Sequence, residues 1–152
     1  MTIIKLHDTE KESAEPRLWK ITEACYTGVE VPERELFRRS IKRGVVFIYR
    51  TSLGGTFTTV GYALYEDYGV DAVLLRSIVV LPVHRECGVG ENLLRYSAEY
   101  FKQKDCRSLV LHCKVDNANA QRLYLKMGWR VTAVLRGYYK PEGDGLEMRK
   151  AL

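Results

Sequence analysis

The segment Val80-Leu81-Pro82-Val83-His84-Arg85-Glu86-Cys87-Gly88-Val89-Gly90-Glu91 restricts the fold of this chain more than any other. β-Branched residues lead into Pro82, which cannot continue a strand's hydrogen-bond ladder. Two glycines follow, and then Val89, Leu93, Leu94 and Phe101 mark one face at helical spacing. A strand must end and a helix begin across a short loop. A helix N-terminus leaves about four backbone N–H groups unpaired at the positive end of the helix dipole. Glycine lets a ligand approach that backbone closely. The combination suits a phosphate or diphosphate, and ordinary helix starts share it.

Other phosphate loops fit worse. The pattern G-x-x-x-x-G-K-[ST] is absent. The dinucleotide pattern G-x-G-x-x-G needs glycine where Leu93 stands. It also needs a βαβ unit opening a parallel sheet. The preceding residues read instead as an antiparallel meander: Val45 to Tyr49, a turn at Leu53-Gly54-Gly55-Thr56, Phe57 to Tyr65, a turn at Glu66 to Gly69, and Ala72 to Leu81. Upstream are a short strand over 2–6 and a charged helix over 10–25, with Pro16 near its first turn. A loop, Tyr26 to Pro32, holds Gly28, and a second helix, Glu33 to Arg43, is stopped by Gly44. Downstream the pattern predicts a helix over 89–103, a strand from Leu109 to Cys113, and a helix from Asn117 to Lys126 with Gly128 as its left-handed stop. Strands follow over Trp129 to Leu135 and Leu146 to Ala151. The order β-α-α-β-β-β-α-β-α-β-β predicts an α/β (α+β) domain with a mixed sheet. With no repeat, linker or block of like charge, residues 1–152 read as a single domain.

Composition excludes several classes. At 46% hydrophobic and 28% charged residues the chain is neither disordered nor collagen-like. A chain of this length buries roughly 70% of the surface it exposes when unfolded. The longest apolar run, Ile78 to Val83, contains a proline. A membrane helix needs about 18 apolar residues, so no membrane partner is expected. No signal-like apolar block opens the chain, and the expected compartment is the cytoplasm. Cys25, Cys87, Cys106 and Cys113 form no C-x-x-C pair, so free thiols and no metal are expected. The net charge of +5 favours anionic partners: a phosphorylated cofactor, an acidic peptide or nucleic acid. Arg34, Arg38, Arg39, Lys42 and Arg43 read as a solvated helix face or as a basic wall beside such a ligand.

Arg85-Glu86-Cys87-Gly88-Val89-Gly90 resembles the Q/R-x-x-G-x-G/A acetyl-CoA loop of the Gcn5-related N-acetyltransferases (GNAT). Asn117-Ala118-Asn119-Ala120-Gln121-Arg122-Leu123-Tyr124, then Met127-Gly128-Trp129, resembles that family's N-x-x-A-x-x-L-Y…G-F/W block. The element order is similar too, over nearly the whole chain. The resemblance implies a mostly antiparallel central sheet flanked by helices, with acetyl-CoA as co-substrate and no metal. It implies backbone contacts to the pantetheine arm from Ile78, Val79 and Val80, and a diphosphate cradle from Arg85 through Glu91, including Glu86, Cys87, Gly88, Val89 and Gly90. Asn117 is then the pantetheine contact and Tyr124 the tyrosine beside the thioester sulfur. Asn117, Ala120 and Tyr124 share a helical face by spacing.

Arg136-Gly137-Tyr138-Tyr139 with Asp144 and Met148 resembles the tail of protein amino-terminal acetyltransferases, a group that includes the ribosomal-protein alanine acetyltransferases. There the paired tyrosines line the peptide's way in, which implies that role for Tyr138 and Tyr139. His112 stands where the alanine enzyme has glutamate and where some eukaryotic relatives carry a histidine base. Val73 departs from those relatives' second tyrosine.

The reaction so implied is direct attack of a primary amine on acetyl-CoA in a ternary complex. An α-amine is roughly 10–20% neutral at pH 7, a lysine about 0.04%. That difference favours a peptide or protein N-terminus, with His112 as base directly or through a water, Val80 N–H facing the oxyanion and Tyr124 protonating the thiolate. Two alternatives stay open. One is a small amine such as a polyamine, antibiotic or amino acid, drawn by Glu30 and Glu33. The other is a non-catalytic CoA- or nucleic-acid-binding module, although no RNA-binding pattern appears. The chain is expected to be a monomer or homodimer.

Overall fold

The computed structural model describes residues 1–26, 31–141 and 143–152. Gly28 and Glu30 lie outside the described residues. The described elements are β1 (Thr2–Lys5), α1 (Asp8–Cys25), α2 (Arg34–Arg43), β2 (Val45–Leu53), β3 (Thr56–Asp67), β4 (Ala72–Val80), α3 (Val89–Lys102), β5 (Ser108–Lys114), α4 (Ala118–Lys126), β6 (Arg130–Leu135) and β7 (Gly145–Ala151), in the expected order. The strands form one seven-stranded sheet in the order β1-β2-β3-β4-β5-β7-β6. Its pairings are antiparallel except β4 with β5, which α3 connects as a crossover.

Strand alternation builds two cores. On one face Phe47, Tyr65, Leu75, Leu109, Leu111 and Met148 pack with Leu93, Leu94 and Phe101 of α3 and Tyr124 of α4. On the other, Val46, Ile48, Tyr62 and Leu64 pack with Leu18, Trp19 and Ile21 of α1 and Phe37 and Ile41 of α2. Each fully buried aliphatic or aromatic side chain contributes about 1.5–3 kcal/mol. Two tyrosine hydroxyls that enter these layers are paired: Tyr65 with Ser97 at 2.6 Å, Tyr62 with Thr22 at 2.7 Å. The β2–β3 turn holds Gly54 at φ +58° and Gly55 at φ +81°, the two left-handed residues that a twisted two-residue hairpin demands.

Two expectations need correction. Helix α1 begins at Asp8, which places Pro16 in its interior and not near its first turn. The helix continues because Pro16 and Glu12, whose carbonyl loses its donor, both face solvent. The basic side chains of α2 build no wall beside the glycine loop, because α2 covers the sheet face opposite α3. Arg34 instead meets Glu15 at 3.5 Å and Arg38 meets Glu35 at 3.3 Å.

Candidate active site

β4 and β5 pair only from Ala72 to Leu75 and from Ser108 to Leu111. Beyond that they part. The cause is local: Leu64 faces Ser77 and Tyr65 faces Leu75, so Arg76 is an extra residue in β4. A bulge of this kind bends its strand away from the ladder. The far end of β4 then pairs with β3 alone, and His112 to Lys114 pair with β7 alone.

The register tells which backbone groups face the gap. Leu81 N–H donates to Val60 C=O at 2.9 Å, so the facing residues Gly61 and Val80 form a non-hydrogen-bonded pair. Val80 turns its N–H and C=O away from β3, and two residues back Ile78 does the same. Val79 does the opposite: its backbone belongs to the β3 ladder and its side chain to the α1–α2 core. Of the three strand residues expected to meet pantetheine, Ile78 and Val80 thus carry the open edge. The Val80 carbonyl accepts from Arg85 Nε at 3.1 Å and Cys25 Sγ at 3.4 Å. Arg85 is thereby folded back along the loop.

The loop reaches α3 through Pro82–His84, a single 3-10 turn, and through two left-handed residues, Glu86 at φ +59° and Gly88 at φ +77°. Gly88 caps α3 without any side-chain hydrogen bond. Asn92 N–H makes the first helical bond, to Gly88 C=O at 2.9 Å. The N–H groups of Val89, Gly90 and Glu91 therefore have no partner within the helix. The Val89 side chain is buried in the core, so only its backbone is available. Cys87 is exposed, and the Glu91 carboxylate is tied to Lys126 of α4 at 2.5 Å. Gly90 lies where α3 nears α4, and a Cβ there would meet Leu123 Cδ2 at 3.7 Å, an ordinary contact.

At the start of α4, Asn117 is the N-cap: its Oδ1 accepts the Ala120 N–H at 3.2 Å. The N-x-x-A spacing thus has a structural explanation, and one oxygen of Asn117 is already engaged. Tyr124, one turn beyond Ala120, is buried against Trp129. Burial first, and then the neighbouring Cys113, Tyr26, Tyr65 and Tyr139, push its phenol well above the ordinary value, so it stays protonated. Tyr139 is pushed up in the same way, by burial first and then by Tyr138, Cys113 and Tyr26. Cys113, whose side chain joins the core beneath α3 and α4, thus acts on both phenols.

His112 lies on the other face of β5. Its Nδ1 is 2.9 Å from the Tyr138 hydroxyl, and its Nε2 is 3.6 Å from Glu147 Oε2. The hairpin that carries both tyrosines is held by Asp144, which accepts the Gly137 N–H at 2.6 Å and pairs with Arg136 at 3.8 Å. Met148 is a core residue. Glu147, Tyr68 and Arg149 join this cluster without having been singled out in the sequence. The alternation Gly145, Glu147, Arg149 against Leu146 and Met148 marked one polar face of β7. The neighbour of that face was not legible. Among the described residues, no group of three His, Cys, Asp or Glu side chains is placed to hold a metal. No described helix is long and apolar enough to cross a membrane.

The sequence model of the acetyltransferase (GNAT) family matches residues 15–129, from α1 through Trp129. The chain belongs to the GNAT family. Over 134 residues it is 31% identical to an uncharacterized N-acetyltransferase of Methanocaldococcus jannaschii, across 80% of this chain and 83% of that one. It is 35% identical over 75 residues to a Bacillus subtilis protein whose name proposes a ribosomal protein bS18-alanine N-acetyltransferase, a match across 49% of this chain and 50% of that protein. The chain thus spans about half the length of this curated relative. The fold is similar to that of the Escherichia coli ribosomal-protein-S18-alanine N-acetyltransferase, with a TM-score of 0.80 at 22% identity over 99% of this chain and 92% of that one. A GNAT acetyltransferase from Elizabethkingia anophelis, solved with acetyl-CoA bound, has a TM-score of 0.79 at 17% identity over 99% and 97% of the two chains. Acetyl-CoA is the molecule bound in that neighbour. The free N–H groups at the start of α3 and the open edge of β4 fit its diphosphate and its amide-bearing arm.

Proposed function

We propose that residues 1–152 act as one N-acetyltransferase domain whose acceptor is the α-amine of a peptide or protein N-terminus. The observation that carries this reading is the stretch after β6, which holds Tyr138 and Tyr139 beside the split between β4 and β5, next to His112. Acetyl-CoA supplies the acetyl group in activated form, as a thioester. The outward-turned N–H of Val80 is the donor available to a carbonyl oxygen gaining negative charge. The protonated Tyr124 donates toward a departing thiolate, and His112 takes up the proton of the attacking amine.

Two carboxylates near this opening are already matched by arginines. Glu66 is matched by Arg76 at 3.1 Å and Glu147 by Arg149 at 2.9 Å. This weighs against a polyamine and suits an acceptor with one charge to lose. The test is a panel of short peptides with free or blocked N-termini, run beside spermidine, an aminoglycoside and free amino acids, with acetylation read by mass spectrometry. Acetylation is expected on free N-termini. Modification of blocked peptides at lysine, or turnover confined to small amines, defeats the reading. Tyr139→Ala should raise peptide KM and leave acetyl-CoA binding intact.

A further inference from the structure

We propose that Glu147 is a positioning residue that holds His112 and the Tyr138 hydroxyl in one proton path leading out of the gap. Its use rests on the α-amine reading, but its chemistry is testable without an acceptor.

The path follows from topology. Insertion of β7 between β5 and β6 makes Glu147 the direct cross-strand partner of His112. The His112 ring is bracketed: Glu147 Oε2 lies 3.6 Å from Nε2, and Tyr138 Oη lies 2.9 Å from Nδ1. Nε2 is buried and has no hydrogen-bond partner among the described residues, so the carboxylate is the group it faces. An anion opposite Nε2 favours the proton there. Nδ1 is then the acceptor, and the Tyr138 O–H donates to it. The His112 side chain is 13% exposed, whereas Tyr138 is 47% exposed. An amine arriving from solvent meets the phenol, and the imidazole stands behind it.

Glu147 is itself held from several sides. Its Oε1 accepts from Thr132 Oγ1 at 3.0 Å and from Arg149 Nε at 2.9 Å, and its Oε2 accepts from Tyr68 Oη at 3.4 Å. Burial pushes its carboxyl up, but the bonds from Arg149 and Thr132 outweigh that and leave it below the ordinary value. It is an anion at neutral pH, fixed in direction by β6, β7 and the turn after β3. The other charged groups around the ring have partners of their own. Lys114, on the same strand, lies over the Tyr139 ring, and Arg76 of β4 pairs with Glu66.

In the step, the attacking amine's N–H bond breaks as its proton passes to Tyr138 Oη. The original phenolic proton passes to Nδ1. His112 becomes an imidazolium with its Nε2–H toward the Glu147 carboxylate, and Tyr138 begins and ends neutral. No phenolate is left behind, and no proton needs to reach Glu147.

Nitrogen-15 NMR of the neutral imidazoles, with His112 assigned by its loss in His112→Ala, tests the first half by reading the ring's tautomer. Glu147→Gln removes the anion opposite Nε2, so the ring should lose its preference for the Nε2–H tautomer. An unchanged tautomer overturns the proposal. Kinetics on a free-N-terminus peptide test the second half. The acid limb of kcat should move to lower pH in Glu147→Gln, with kcat on the plateau reduced roughly tenfold. Glu147→Asp should restore most of the limb. A lower kcat with an unmoved limb would leave Glu147 only a structural strut and overturn the proposal. Tyr138→Phe and His112→Ala should each lower kcat, and the double variant no further than the worse single, because groups acting as a unit are not additive. Additive losses overturn the path. The stabilisation by acetyl-CoA should persist in every variant, and a variant that lost it would belong to the cofactor gap instead. If the tautomer changes while every peptide is inert, the α-amine reading fails and the Glu147–His112 coupling stands.

Discussion

Helices α3 and α4 both begin at the split between β4 and β5, and their first turns are built in opposite ways. At α4 the cap is a side chain, Asn117, whose Oδ1 takes the Ala120 N–H. Gln121 adds two bonds to the end of β5, from its Nε2 to Val115 C=O at 2.7 Å and to Lys114 C=O at 3.1 Å. At α3 the cap is Gly88, which has no side chain to offer, and the N–H groups of Val89, Gly90 and Glu91 stay without helical partners. A cap like that of Asn117 is worth about 1 kcal/mol. The chain forgoes that stabilisation at α3 and takes it at α4. The difference suits α3 to an anionic ligand and α4 to holding Tyr124 in place.

The largest effect that would break this contrast is expected at Gly88. Acetyl-CoA at about 100 times its Kd should stabilise the protein by roughly 2.7 kcal/mol, a rise of roughly 5–10 °C in Tm. Gly88→Glu should abolish the rise, because it places a carboxylate at the helix end proposed for the diphosphate and strains a residue at φ +77°. Gly88→Asn tolerates that backbone and should keep part of the shift. If Gly88→Glu retained the full shift in differential scanning fluorimetry, the open end of α3 would not be the diphosphate site.

Tyr124→Phe sharpens the other side of the contrast. A phenol pushed up by burial is a weak acid toward a thiolate. The loss in kcat should therefore fall at the low end of the general-acid range, about 100-fold, with acetyl-CoA affinity little changed. Steady-state kinetics beside a binding titration separate the two, and retention of most of kcat would leave Tyr124 a packing residue.

Asn117→Ala should lower stability by about 1 kcal/mol, or roughly 2–4 °C in Tm. If it also left the acetyl-CoA stabilisation unchanged, Asn117 would be a helix cap and nothing more. The smallest effect concerns acid. The folded Glu147 carboxyl lies below its ordinary value, so its contribution to stability is present above the unfolded pKa. That contribution disappears as the pH falls through the folded value. Melting curves below about pH 4.5 should therefore be steeper in pH for the wild type than for Glu147→Gln. The difference is modest because the Arg149 partner is partly exposed and screened.

What the sequence determined by itself was local. The meander, the turn at Gly54-Gly55, the switch from strand to helix across 80–91 and the helix ending before Gly128 are written in periods of two and 3.6 residues and in turn chemistry, which need no distant partner. The resemblance to the GNAT family rested on the same short segments, and the family match bears it out. The tertiary structure decided what depends on pairing between strands far apart in sequence. It turned Val79 into the β3 ladder and Val80 into the gap, because a shift of one residue exchanges the two sides of a strand. It let Pro16 sit inside α1, because solvent serves the carbonyl left without a donor. It set β7 between β5 and β6, and so brought Glu147 to His112 across 35 residues of chain. Neither residue's neighbours in sequence carry a trace of that meeting, because a cross-strand contact is fixed by register, and register is a property of the whole sheet.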